Sequence, residues 1–335
     1  MIGVTRGVPE IGDGGGLDVK WRDLLLARCL AGVLAAALLA CAGPAPDAVT
    51  PEQPASRATP ALWRATAPNA DAGSLYLLGS VHMGTRQMLD LGTLVEEAYR
   101  LSDELVVEVD VKRLGPEEVV ALVQRHGTFA PPRTLREVLS PPVLGQLEAY
   151  LAERGVPLAD VERFKPWFVS FMVAQLELQA VGYEVELGVD HVLMERASAE
   201  KPIVELETAA SQLQMLDLLP APLQELMLTD ILARVDHFAE EVAVLVDAWK
   251  SGDEARLEDL VFSPLERSPE LEIFYDLVFF QRNERMASRL AELLGDGKTR
   301  LVVLGAGHMV GGRGIRAQLG ERGYRVRRLE ALEAR

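Results

Sequence analysis

The sequence predicts an α/β fold: a mostly parallel central sheet with a large helical insertion, and an active site at the carboxyl ends of the strands. Three observations predict it. Short apolar runs closed by glycine, Leu75–Leu78 before Gly79 and Leu301–Leu304 before Gly305, read as buried strands. A strand pattern, a helix pattern and a second strand pattern follow one another from Leu75 to Val111, and that order makes a βαβ unit with parallel strands. Long helical stretches then separate these strands from the later ones.

Along the chain, the first forty residues do not read as fold. Lys20-Trp21-Arg22 precedes an uncharged apolar run from Cys29 to Ala40, the layout of an export signal. The run is shorter than the roughly 20 apolar residues that a spanning helix needs. Leu38-Leu39-Ala40-Cys41 resembles a bacterial lipobox, which implies cleavage before Cys41 and a lipid on that residue. Residues 1–18 are Gly-rich and carry acids, so a start near Val19 is expected. Residues 41–60 hold Pro44, Pro46, Pro51, Pro54 and Pro60 and read as an extended tether. Residues 61–335 show no internal linker and are taken as one domain.

Inside that domain Leu91, Leu94, Val95 and Ala98 have helical spacing. Glu104 to Val111 alternates, with Glu108 and Asp110 on one face. Helical periodicity marks Gln146–Ala152, Phe168–Ala180 and Val189–Ala197. Pro202–Leu206 reads as a strand, 209–295 as further helices, and Tyr324–Leu329 as a last strand.

Composition narrows the function classes. With 34 basic and 50 acidic residues the formal charge is −16, and a field of that sign repels phosphate backbones, so no nucleic-acid partner is expected. Two cysteines, Cys29 and Cys41, make neither a disulfide framework nor a Cys-rich zinc site. No Gly-x-Ser-x-Gly elbow, Walker pattern or Gly-x-Gly-x-x-Gly spacing is present.

The five histidines are more informative. Glycine stands three residues before His82, His191 and His308. His82 and His308 each follow a predicted strand, where ligands of open parallel sheets bind. Glu108 falls near the carboxyl end of its strand, and Glu207 follows another. Two imidazoles and a carboxylate are a common catalytic metal set. His191 is taken as structural, and His126 and His237 as helix-end or surface residues.

Several ordered blocks carry a resemblance. They are Leu75–His82, Ser102–Asp110, Lys165-Pro166-Trp167, Gly188-Val189-Asp190, Leu206-Glu207-Thr208 with Gln212, Arg282-Asn283 with Met286, and Val303–Gly311. Together they resemble the TraB/GumN family, whose animal relatives include the Tiki metalloproteases, over most of residues 61–330. The family is similar to metal-dependent hydrolases that include erythromycin esterases. The resemblance implies a metal site of His82, Glu108 and His308, with Arg282 nearby as a charge-stabilising partner.

The expected protein is a lipid-anchored envelope hydrolase acting on peptide bonds, facing the periplasm from the outer membrane. Its substrate is a peptide or small molecule, and its membrane contact runs through the anchor. The ion is divalent: Zn, Mn, Co or Fe. Glu108 is either the third ligand or the general base, and Arg282 is expected to stabilise the developing oxyanion. Asp110, Glu207 and Asn283 are expected beside the ligands, orienting the histidines. The alternatives are a hydrolase for esters or other non-peptide bonds, and a non-catalytic envelope binding or assembly protein.

Overall fold

A computed structural model describes residues 58–68 and 73–330. The predicted signal, Cys41 and most of the tether lie outside the described residues. Among the described residues six strands form one sheet: β1 Leu62–Thr66, β2 Ser74–Ser80, β3 Glu104–Val107, β4 Ile203–Glu205, β5 Thr299–Gly305 and β6 Arg325–Arg328. Their order is β4-β3-β5-β2-β1-β6. The pairs β3–β4, β3–β5 and β2–β5 are parallel, while β1 runs antiparallel to β2 and β6.

The α/β reading therefore holds, with three differences. β1 escaped the sequence reading because Leu62-Trp63-Arg64-Ala65-Thr66 carries no clear apolar run or alternation and follows a Pro-rich stretch. β2 and β3 are parallel, as the βαβ pattern predicts, but β5 lies between them. The strand expected to reach Val111 ends at Val107. Its neighbour β4 ends at Glu205, whose side chain accepts the Asp110 N–H at 2.8 Å. The Asp110 carboxylate accepts the Lys112 N–H and caps a short 3-10 turn, so the chain bends away from the sheet.

The main helices are α1 Gly92–Leu101, α2 Pro116–Leu122, α3 Pro141–Glu153, α4 Pro166–Ala180, α5 Val189–Glu200, α6 Ala209–Asp217, α7 Ala221–Arg234, α8 Phe238–Ser251, α9 Glu254–Arg267, α10 Gln281–Leu293 and α11 Ile315–Glu321. Pro141-Pro142 and Pro166 open α3 and α4 rather than break them, since a first-turn N–H has no helical partner to lose. The helical insertion falls in two parts, α2–α5 between β3 and β4 and α6–α10 between β4 and β5.

Strand alternation divides the core between the two faces of the sheet. Tyr76, Leu78, Leu105, Val107, Leu301 and Val303 join the large core with α1 and most of the insertion. Leu75, Leu77, Val106, Val302 and Leu304 face the other way, onto Met286 and Leu290 of α10 and Ile315 and Leu319 of α11. Both faces are covered, which parallel strands require.

Candidate metal and catalytic site

Four turns meet at the carboxyl ends of the parallel strands: β2 leads to His82, β3 to Glu108, β4 to Glu207 and β5 to His308. Glycine makes the first turn possible. A Cβ on Gly188 would lie 2.3 Å from the His82 carbonyl oxygen, and one on Gly84 would lie 2.3 Å from the Leu187 oxygen. The His82 loop thus docks backbone to backbone on the segment that opens α5. Gly84 and Glu184 exchange N–H to O bonds of 3.0 and 2.9 Å, and the Val189 N–H donates to Val81 O at 3.0 Å.

This docking delivers a residue to which the sequence reading gave no role. Asp190, in the first turn of α5, lies 2.8 Å from His82 Nδ1 through its Oδ2. Burial alone would lower the His82 pKa, but the Asp190 charge and hydrogen bond outweigh it and raise it to about 9. The signal was present in the Gly188-Val189-Asp190 block. Its partner is 108 residues away, and no local pattern links the two.

His308 is held differently. Asn283, in the first turn of α10, donates its Nδ2–H to the Arg313 carbonyl at 2.9 Å. That donation leaves Oδ1 for His308 Nδ1, at 2.6 Å. Nδ1 therefore carries the proton, and Nε2 presents a lone pair. Burial lowers the His308 pKa to about 4, so the ring is neutral at neutral pH. Asn283 thus fixes the orientation of the His308 ring.

Glu108 follows the strand end at which β3 pairs with β5. Its Oε1 accepts the Gly305 N–H at 2.7 Å. Its Oε2 accepts from Arg282 Nη2 at 2.5 Å and from Gln212 Nε2 at 3.3 Å. Burial would raise its pKa, but the charge of Arg282, then those of His308 and His82, hold the carboxyl far below the usual range.

Arg282 is buried between two glutamates. Its Nε donates to Glu207 at 2.9 and 3.1 Å, and Nη2 reaches both Glu108 and Glu207. Nη1 donates to Val278 O at 3.0 Å, within a π turn over Asp276–Phe280 that precedes α10. Four of the five guanidinium N–H groups are committed in this way, which leaves one for any substrate oxygen.

The structure brings together His82, Glu108, His308, Arg282, Glu207 and Asn283. Glu207 meets Arg282, Gln212 and, at 3.9 Å, Arg285, rather than either histidine. Asp110 serves its own turn. His126 is buried, with Nδ1 3.4 Å from Asp217; of the two expected positions it takes the helix end and not the surface. It ends a π turn over Val123–Gly127 that packs inward. His237 is exposed at the start of α8.

The donor set suits a divalent ion in its chemistry. Both imidazoles spend Nδ1 on an outer partner, the usual arrangement for metal-ligating histidines. His308 Nε2 faces Glu108 Oε1 at 3.8 Å. Among the described residues, no three His, Cys, Asp or Glu side chains are already drawn up around one point. A small cleft opens beside His82 and Glu108.

Comparison with known proteins agrees with the sequence blocks. The uncharacterized protein YbaP of Escherichia coli K12 is 26% identical over 237 residues, 70% of this chain and 84% of that one. The Shigella flexneri protein of the same name gives the same figures. No solved structure matches. The profile of the TraB/PrgY/gumN family matches residues 61–328, and with four-fifths of its length inside that match, the chain belongs to the TraB/PrgY/gumN family.

Proposed function

We propose that this chain is a lipid-anchored envelope hydrolase that uses a divalent metal ion and acts on peptide bonds. The observation that carries the reading is the pair His308 Nε2 and Glu108 Oε1. A lone pair and an ionised carboxylate oxygen face each other at 3.8 Å, with the Nδ1 proton committed to Asn283. Two electron-rich atoms so placed repel unless positive charge enters between them. His82 adds a second imidazole whose Nδ1 is spoken for. The peptide bond as substrate is supported by the resemblance to the Tiki metalloproteases.

In this reading His82, His308 and Glu108 would hold the ion. Such an ion, Zn, Mn, Co or Fe, supplies a Lewis acid and lowers the pKa of bound water. Each protein group then has its own task. His82, whose pKa is raised to about 9 by Asp190, would have to lose its proton to serve as a ligand. Glu108 stays ionised, which suits a ligand and not a general base. Arg282 keeps Glu108 and Glu207 charged and fixed in place. Asp190 and Asn283 orient the two rings.

Metal analysis of the full chain tests this directly. About one divalent ion per chain is expected, lost in His82→Ala and His308→Ala together with turnover of a fluorogenic peptide. A chain that retains no divalent ion near stoichiometry overturns the reading. Anchoring at Cys41 is proposed from Leu38-Leu39-Ala40-Cys41. Cys41→Ser should move the protein from the membrane fraction to the soluble fraction.

A further inference from the structure

The chain is acidic as a whole, yet one stretch is not. Residues 313–328 hold six arginines and a single acid, Glu321, against a formal charge of −16 for the protein. They form α11 and β6, and β6 is the last strand at its edge of the sheet, paired with β1. Arg322, Arg325, Arg327 and Arg328 are all exposed. Arg316 and Arg328 share Glu254, and Arg313 pairs with Asp276. Arg322 donates to neutral groups, Gln318 O and Oε1 and Ser288 Oγ. Among the described residues no carboxylate pairs with Arg322 or Arg325. Arg327 stands directly across the ladder from Arg64, so positive charge spans two strands. Charge that only discouraged edge-to-edge pairing would be confined to β6; here it continues back into α11 at Arg316 and its cap Arg322. The chain also enters the domain at this place. The Thr59 N–H donates to Lys250 O at 2.8 Å, and Thr59 O and Arg328 Nη2 both border Gly252, 3.0 and 2.7 Å from where a Cβ would stand. Cys41, the expected lipid site, precedes Ala58 by 17 residues, a length that spans at most about 60 Å.

We propose that the face formed by β6 and the end of α11 docks on an anionic phospholipid surface and sets the orientation of the anchored domain. Guanidinium groups match phosphate oxygens and pair with them through two N–H bonds. A bilayer of anionic lipid attracts these arginines and repels the rest of the chain, which is more negative still. Opposed forces of that kind select one orientation. Salt screens the contact, so it orients the domain and leaves holding it to the lipid. The inference rests on the Cys41 reading for the nearness of a membrane, and not on the hydrolase reading.

The test is cosedimentation of the full chain carrying Cys41→Ser with vesicles at low salt. Mixed phosphatidylglycerol and phosphatidylcholine vesicles should bind it about tenfold or more tighter than phosphatidylcholine alone, since each basic residue near such a surface contributes about fivefold. High salt should erase that difference. Arg322→Glu with Arg325→Glu should lose it with the melting temperature retained. Arg125→Glu with Arg133→Glu, at exposed positions elsewhere on the molecule, should keep it. Equal binding to both vesicles overturns the proposal, and so does a preference that survives in the first double variant or vanishes in the second. Duplex DNA bound as tightly as the mixed vesicles would assign the face to phosphate at large and overturn it too. A lipid on Cys41 resists a high-salt wash and this contact does not, so failure of the anchor and failure of the docking face are separate outcomes.

Discussion

Arg282 shows how one side chain organises the site. It is 4% exposed and bridges Glu108 and Glu207. Lysine is a point charge on a flexible stem and cannot reproduce a fork that serves two carboxylates and a carbonyl. Arg282→Lys should therefore cost about 3 kcal/mol, because it leaves a buried carboxylate poorly paired. Urea unfolding of the variant measures this, and a loss near zero would contradict the bridge. His308 offers a second check. Its Nδ1–H tautomer follows from Asn283, so long-range proton–nitrogen spectra of the metal-free protein should show Nδ1 protonated and Nε2 bare near pH 7. Asn283→Leu removes the acceptor and should release the ring into a tautomer mixture. A wild-type ring protonated on Nε2 would sink the assignment.

At the scale of elements, the His82 loop and the start of α5 act as one unit. Gly188 has no room for a methyl group, since its Cβ would meet the His82 oxygen at 2.3 Å and the carbonyl carbon at 2.6 Å. Gly188→Ala should destabilise the fold by about 2 kcal/mol through overpacking. It should also move His82 away from Asp190, and the raised His82 pKa should fall. A titration of His82 in the variant that still sits near 9 would show that the loop does not depend on this contact. Helix α8 restrains the other side of the same turn, where Trp249 Nε1 donates to Gly79 O at 2.8 Å. The two Gly-x-x-His turns approach closely there, with Gly79 Cβ space bounded by Ala306 Cα at 3.0 Å.

The whole molecule is acidic, and its charge is organised at both ends of the sheet. Opposite the candidate site, Glu104 accepts from Arg300 Nε at 2.7 Å and pairs with Lys298. Arg300 also pairs with Asp296. Burial would raise the Glu104 pKa, but its hydrogen bonds to Lys298 and Arg300 pull it below 4.5. A carboxyl depressed in the folded state contributes stability above its unfolded pKa and loses it as pH falls. Global stability should therefore drop as pH falls below about 4.5, and Glu104→Gln should flatten that part of the curve. Unfolding free energies of both proteins across that range are the measurement. Parallel curves would remove Glu104 as a contributor.

The legible part of the fold was the part written in local pattern. β2, β3, β4 and β5 were visible because short apolar runs end at glycine or at a charged residue. The histidine turns were visible because glycine recurs at one offset before them. β1 was not visible, since its five residues include only a brief alternation and its identity depends on pairing with β2 and β6. The extent of β3 is hidden for a different reason: Val109 and Val111 keep the alternation, but β4 ends at Glu205 and the Gly305 N–H of β5 goes to the Glu108 carboxylate rather than to backbone.

By itself the sequence determined the fold class, the strands that carry His82, Glu108 and His308, and the types of group available for chemistry. Periodicity and turn residues act over a few positions, and they state which face of an element is apolar. The tertiary structure alone decided that β5 enters between β2 and β3. It alone joined Asp190 to His82 across 108 residues and Arg282 to Glu108 across 174. Such contacts cost chain entropy that no local pattern specifies, and they form only when both cores close over the sheet. That closure turns Glu108 from a polar residue at a strand end into a carboxylate held ionised, and Asp190 from a helix-start residue into the partner of a histidine.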